Sequence, residues 1–364
     1  MRSPSPGRRR DRRRRAWQAA IWSVAALVVL VAAWVVNRAV ATTPARTSAP
    51  TTAPAVSTVP STTTTTPAES LPVPIGTYSV GTSSLTVAVP PQPTSPAQNI
   101  PVQVWYPAAE TRNGPVPDRV GGPFPLLAFS QGYDLSVQSY AALLGDWASA
   151  GFVVAGPTYP HTDPGDPSGL NEEDIVNHPA DLRTVVAGVV ANAKQAGSPL
   201  LGMIDATRIG LVGHSDGGDV SLAVAANTCC RDPLVKAVAV LSGAELGSFG
   251  GTYFTAPTVP ILVVQGNADI VNVPACSTQI YNAAPTPKYY LDLLGAAHEP
   301  PYIDPGPVQE IVAETVAAFF EATLNGRHSA VPAMSAVGNV AGTAQLTVGG
   351  TAPPEPGTCP GAPA

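Results

Sequence analysis

The sequence predicts an α/β domain: a mostly parallel sheet with helices on both faces and an antiparallel N-terminal portion. Three observations carry this expectation. From about residue 126 onward, short and nearly continuous apolar runs alternate with helical patterns, as strands buried on both faces require. Before that point, three segments alternate apolar and polar residues between Pro- and Gly-rich turns, the rhythm of antiparallel strands. One run, Gly213-His214-Ser215-Asp216-Gly217, joins an apolar strand directly to an apolar helix.

The 364-residue chain divides unevenly before this domain begins. Eight of its 19 basic residues fall in the first fifteen positions, and ten lie at or before Arg46. Beyond Arg46, 24 acidic residues face nine basic ones. Such an acidic body argues against nucleic acid as a partner, because phosphate neutralisation needs clustered Lys and Arg. Residues 1–15 read as a basic cytoplasmic head, and 16–36 as an unbroken weakly polar stretch. At a rise of about 1.5 Å per residue that stretch spans about 30 Å, the thickness of a bilayer core. Positive charge stays inside, so everything after Asn37 is expected to be extracytoplasmic. Ala39-Val40-Ala41 has the small-x-small pattern of a cleavage site. The apolar run exceeds the roughly 7–15 residues of a signal-peptide core, so a single-pass signal-anchor is expected, with secretion after cleavage behind Ala41 as the alternative. Residues 37–72, rich in Thr, Pro and Ser, read as a disordered linker. Residues 73–327 are the folded domain, and 328–364 read as a low-complexity tail without an amphipathic helix.

Within the domain, strands are expected around Tyr78, over 85–89 and over 102–106, then over 126–130 and 152–156. Further strands are expected over 208–213, 235–241, 260–264 and 289–294. Helices are expected over 136–150, 179–195, 217–227 and 307–324. The last places Val312, Val316, Phe319 and Phe320 on one face, with Pro307 in its first turn and Gly326 after its end. Residues 160–177 carry Asp163, Asp166, Glu172, Glu173 and Asp174 without the spacing of a calcium loop. A solvated acidic loop is expected there, one that can also border the substrate pocket. Four cysteines in an exported chain suggest two disulfides, and their spacing matches no zinc pattern. A bond between the adjacent Cys229 and Cys230 would be strained, so each is expected to pair with Cys276 or Cys359 and tie the tail back.

The chemistry is read outward from Ser215. A serine on a tight strand-to-helix turn, flanked by small residues, can project its hydroxyl above the sheet as a nucleophile. It needs a base, itself held by an acid. Of five histidines, His298 comes just after the last expected strand, whereas His161 and His178 precede the nucleophile and His328 begins the tail. His214 lies in the turn and is expected to pack. Asp269, after the strand over 260–264, is the expected acid, with Glu245 the alternative; Asp292 falls inside a strand. Ser215, Asp269 and His298 then stand in the chain order this chemistry takes on such folds. The oxyanion hole is assigned to the backbone amides of Asp216 and Tyr133, with Gly132 permitting close approach. The Asp216 side chain is expected to point away from the oxyanion.

With these residues in place, the domain resembles the platelet-activating-factor acetylhydrolase, dienelactone hydrolase and chlorophyllase-like branch of the α/β-hydrolases. The polyester-cleaving cutinases of actinobacteria are relatives. The resemblance covers about residues 72–327. It rests on residues 100–107, the Phe129-Ser130-Gln131-Gly132-Tyr133 block, residues 149–154, residues 179–182, the turn at Ser215 and the blocks ending in Asp269 and His298. It implies the α/β-hydrolase fold, the same triad and the same two amides. Gln131 stands where the acetylhydrolases usually carry His, and the turn reads His-Ser-Asp where bacterial cutinases read Trp-Ser-Met. Residues and resemblance together lead to the expectation of a membrane-anchored, extracytoplasmic hydrolase of small or lipid-like carboxylic esters, with no metal or organic cofactor. The alternatives are a peptidase or amidase on the same triad, and a catalytically inactive surface-binding domain.

Overall fold

The computed structural model describes residues 72–355 and 357–360. The basic head, the expected membrane span and the linker up to residue 71 lie outside the described residues. Among those described, no helix is long and apolar enough to cross a membrane.

Ten strands among the described residues form one sheet, in the order β1-β2-β5-β4-β6-β7-β8-β9-β10, with β3 on the far side of β2. The antiparallel portion is β1 (Ser79–Val89), β2 (Gln98–Thr111) and β3 (Gly114–Pro117). β4 (Phe124–Ser130), β5 (Val153–Pro157), β6 (Ile204–His214), β7 (Val235–Leu241), β8 (Ile261–Gly266) and β9 (Lys288–Leu293) run parallel. Every residue of β4, β5, β8 and β9 is buried, which is why the first three read as apolar runs, while β9 also buries Lys288 and Asp292.

The two faces of the sheet are closed by different helices. On one lie α2 (His178–Asn192), α3 (Asp216–Ala226) and α4 (Pro274–Ala283), contributing Leu182, Val185, Val220, Leu222 and Ile280. On the other, α1 (Ala141–Ser149) and α6 (Pro307–Thr323) pack Leu143, Trp147, Val312, Val316, Phe319 and Phe320, all fully buried. A single turn, α5 (Pro300–Ile303), follows His298 and buries Tyr302.

Two expectations are corrected. The tail is not featureless: α7 (Ala330–Val337) packs Ala330 and Met334 into the core, and β10 (Ala344–Val348) adds an antiparallel edge strand to β9. Its apolar residues are few but alternate, with Ala344 and Leu346 turned inward. Pro332 falls in the first turn of α7, where its missing N–H costs no helical bond. The disulfides also differ: Cys229 bonds Cys230, and Cys276 bonds Cys359. Cys276 and Cys359 meet in a small cluster with Ala244, leaving the two adjacent thiols to each other. Asn227 shapes that turn, its Oδ1 accepting from the Cys229 amide and its carbonyl from the Cys230 amide. The second bond does tie the end of the chain back to the domain.

Candidate active site

The strand β6 ends at His214 and α3 begins at Asp216, so a single residue, Ser215, makes the turn. It does so at φ 55° and ψ −127°, a left-handed region that side-chain-bearing residues adopt at a cost of about 1–3 kcal/mol. The glycines around it are obligatory for space. A Cβ on Gly213 would lie 1.9 Å from the Gly217 carbonyl oxygen, and one on Gly217 would lie 2.1 Å from that of Ser130.

This turn brings Ser215 to the three-residue array expected from the sequence. The Ser215 hydroxyl donates to His298 Nε2 at 2.9 Å, and His298 Nδ1 donates to Asp269 Oδ2 at 2.7 Å. All three residues are more than nine-tenths buried. Asp269 is held on both oxygens: Oδ1 accepts from the amides of Val271 and Asn272, and Oδ2 also accepts from Gln265 Nε2 at 3.1 Å. Glu245, the alternative acid, makes no contact with His298. Its Oε2 meets Gln279 Nε2 at 3.5 Å, and its Oε1 has no partner. Asp292 stays within β9, beside Gln265 on one neighbour and Gln345 on the other.

The two amides assigned to the oxyanion hole belong to the residue after the nucleophile and to the residue after Gly132. Neither the Tyr133 nor the Asp216 amide has an acceptor among the described hydrogen bonds. Gly132 packs against the nucleophile so closely that a Cβ there would lie 3.2 Å from Ser215 Cβ. Behind them runs a chain that sequence reading missed. The Gly132 amide donates to the Tyr140 hydroxyl at 3.2 Å, which donates to His214 Nδ1 at 2.7 Å. His214 Nε2 in turn donates to the His298 carbonyl at 3.0 Å. Burial, with the charge of His298, pushes His214 well below the usual imidazole range, so it stays neutral, one nitrogen donating and the other accepting. His214 therefore joins the oxyanion loop to the loop of the base; no sequence spacing links Tyr140 to it.

Residues 113–317 match the family model described as PET hydrolase-like, more than half of the chain. The chain belongs to the PET hydrolase-like family. The matched stretch holds Ser215, Asp269 and His298. A second comparison finds cutinase est2 of Thermobifida alba, 31% identical over 182 residues. That match takes in 49% of this chain and 53% of the cutinase, so the chain spans about half the length of the relative it matches. The α/β-hydrolase fold and the relation to actinobacterial cutinases, both expected from the sequence, are borne out.

On this PET hydrolase-like framework the residue after the nucleophile faces a cleft of about 430 Å³. Asp216 lines it together with Glu172 and Glu173 from the acidic loop, Asp219 one turn further along α3, and Val271 and Asn272 beyond Asp269. The acidic loop thus borders the cleft beside the nucleophile. Burial, reinforced by the charge of Glu172, pushes the Asp216 carboxyl up to about 6. No group of three or more His, Cys, Asp or Glu among the described residues is arranged to hold a metal ion.

Proposed function

We propose that the chain is a serine hydrolase of carboxylic esters. The observation that carries the reading is the continuous hydrogen-bonded path from the Ser215 hydroxyl through His298 to Asp269, mounted on a strained strand-to-helix turn. Ser215 attacks the ester carbonyl while His298 takes its proton. Asp269, fixed by two amides and Gln265, holds the imidazole in the tautomer that leaves Nε2 free to accept, and stabilises the imidazolium. The amides of Tyr133 and Asp216 receive the developing oxyanion. His298 then returns its proton to the departing alcohol, leaving an acyl-enzyme on Ser215. Water, deprotonated by the same histidine, releases the acid and restores the serine.

The arginine-rich head and the apolar stretch over 16–36 support a further part of the proposal: the domain is anchored by a single pass and works outside the cytoplasmic membrane. Membrane sedimentation and protease accessibility of the intact chain in cells test that part separately.

The chemical test is turnover of p-nitrophenyl butyrate together with labelling by a fluorophosphonate probe. Wild-type protein is expected to hydrolyse the ester and to take one label, on Ser215. Ser215→Ala should abolish labelling and lower kcat at least about a thousandfold. Undiminished turnover in that variant would remove Ser215 from the mechanism.

A further inference from the structure

Beyond β10 the chain turns back along α4 and is fastened to that helix at three points. The Tyr281 hydroxyl donates to the Gly349 carbonyl at 2.5 Å, the Ala352 amide donates to Asn282 Oδ1 at 3.0 Å, and Cys359 bonds Cys276. Tyr281 and Asn282 lie in the last turn of α4 and Cys276 in its first, so this strap runs along the helix toward the Asp269 loop. It arrives at the cleft beside the nucleophile. Cys276 and Ala244 belong to the buried part of the cleft lining, and Pro360 to its exposed rim. Cys359 packs with Cys276 and Ala244 in one small cluster, so the disulfide anchors the residue directly before that rim. A proline in this place has its φ fixed and almost no side-chain freedom, which makes a wall that does not swing aside. Asp216, whose amide is assigned to the oxyanion, lines the same cleft, as do Val271 and Asn272, whose amides hold Asp269. A substituent of an ester on Ser215 that extends past Asp216 enters this space, where Ile175, Val176 and Leu246 add aliphatic surface.

We propose that the strap is a specificity element: Pro360, pinned by the Cys276–Cys359 bond, walls the cleft that takes an aliphatic substituent of the ester and limits how wide that substituent can be. The inference rests on the ester-hydrolase reading above. A slim chain passes the wall, whereas a wide group must displace it or stay outside the cleft. A misfit of a few methylenes in such a pocket changes kcat/KM by about tenfold or more. The strap acts on the choice of substrate and takes no part in the proton transfers at Ser215.

Two pairs of esters test it on the full-length protein. The pair p-nitrophenyl 3-cyclohexylpropanoate and p-nitrophenyl butyrate places the wide group on the acyl side. The pair 2-cyclohexylethyl butyrate and ethyl butyrate places it on the alcohol side. The quantity read is kcat/KM for the wide ester divided by that for its slim partner. Cys359→Ser frees the wall and should raise this ratio at least about threefold in at least one pair. Pro360→Trp keeps the disulfide, adds bulk at the exposed rim, and should lower the same ratio at least about threefold. A strap that only stabilises the fold would change both esters of a pair alike and leave the ratio where it is. If Cys359→Ser does not fold, Pro360→Trp carries the test alone. Ratios within about twofold of wild type in both pairs for either folded variant, with the slim esters turned over, would overturn the wall and leave the hydrolase reading intact. If wild type turns over none of the four esters, the hydrolase reading fails and takes this inference with it.

Discussion

Asp269 and Glu245 are both buried acids following neighbouring strands, and hydrogen bonding separates them. Asp269 receives two amides, a glutamine side chain and the His298 Nδ1 proton, whereas Glu245 has one long contact and one bare oxygen. Asp269→Asn is therefore expected to lower kcat for p-nitrophenyl butyrate by about 10²–10⁴, through loss of the productive tautomer. Glu245→Gln should change it by less than about threefold. The reverse pattern would transfer the acid's role. Tyr140 makes a subtler case. Its hydroxyl accepts from the Gly132 amide and donates to His214, so Tyr140→Phe strands a buried N–H and a buried ring nitrogen. That should cost about 1–3 kcal/mol of stability. If the chain through His214 also aligns the oxyanion loop with the base, kcat should fall roughly tenfold with KM nearly unchanged. A stability loss with full kcat would make the chain purely structural. Ser215, His298 and Asp269 were legible in the sequence because each follows an apolar strand at a characteristic place in chain order. Tyr140 was not, because its partner is 74 positions away and reached through a fold rather than a spacing.

At the level of elements, legibility followed burial. The central strands stand out because both faces of each are covered, leaving no polar alternation to confuse them. The helix α6 stands out because Val312, Val316, Phe319 and Phe320 recur at helical spacing and all are buried. The final helix and strand were hidden because both are short and draw on small residues that resemble linker composition. Their order comes from partners elsewhere: β10 takes its register from β9, and the chain beyond it is fastened through Cys359 to Cys276 in α4. The bond closes a separation of 83 residues, long enough for a chain-entropy contribution of about 2–4 kcal/mol. Cys359→Ser should accordingly lower the melting temperature. It should also make the last residues the first to exchange their amides, while sparing α1 and α6 on the opposite face. Unchanged melting and unchanged exchange near β10 would show that sheet pairing alone secures the tail. The vicinal pair was misjudged for a different reason. Strain argued against it, but Asn227 already holds that turn through its carbonyl and Oδ1, and Cys276 is occupied by Cys359.

The whole domain carries its negative charge in an unusual way, with many carboxylates taken out of water and few cations to meet them. Burial is the largest cause of an upward shift in Asp146, Asp181, Asp216, Asp219, Glu245, Asp292 and Glu321. Among the carboxyls of the described residues, only Asp166, Asp174 and Asp205 shift down. Asp166 is lowered by the His161 and Ser168 amides; in the other two, hydrogen bonds outweigh burial. A carboxyl raised in the folded state binds protons more tightly there than in the unfolded chain, so its contribution to stability grows as pH falls through the raised value. Asp181 and Asp216, both raised to about 6, place that gain between about pH 7 and pH 4. His214 works in the opposite sense, since its depressed value favours the unfolded state once pH drops below the ordinary imidazole range. Two carboxyls gain where one histidine loses, so from these groups the domain should melt at a higher temperature near pH 5 than at pH 7.5. Asp181 isolates the effect. It is fully buried, takes hydrogen bonds from Gln92 and Gln98, and faces the charges of His178 and Asp174. Relative to wild type, Asp181→Asn should gain about 2 kcal/mol on going from pH 4.5 to pH 7.5, because only the wild type pays to ionise that carboxyl. Urea denaturation of both proteins at the two pH values measures this directly. A difference independent of pH would mean that Asp181 is already ionised at pH 4.5 despite its burial.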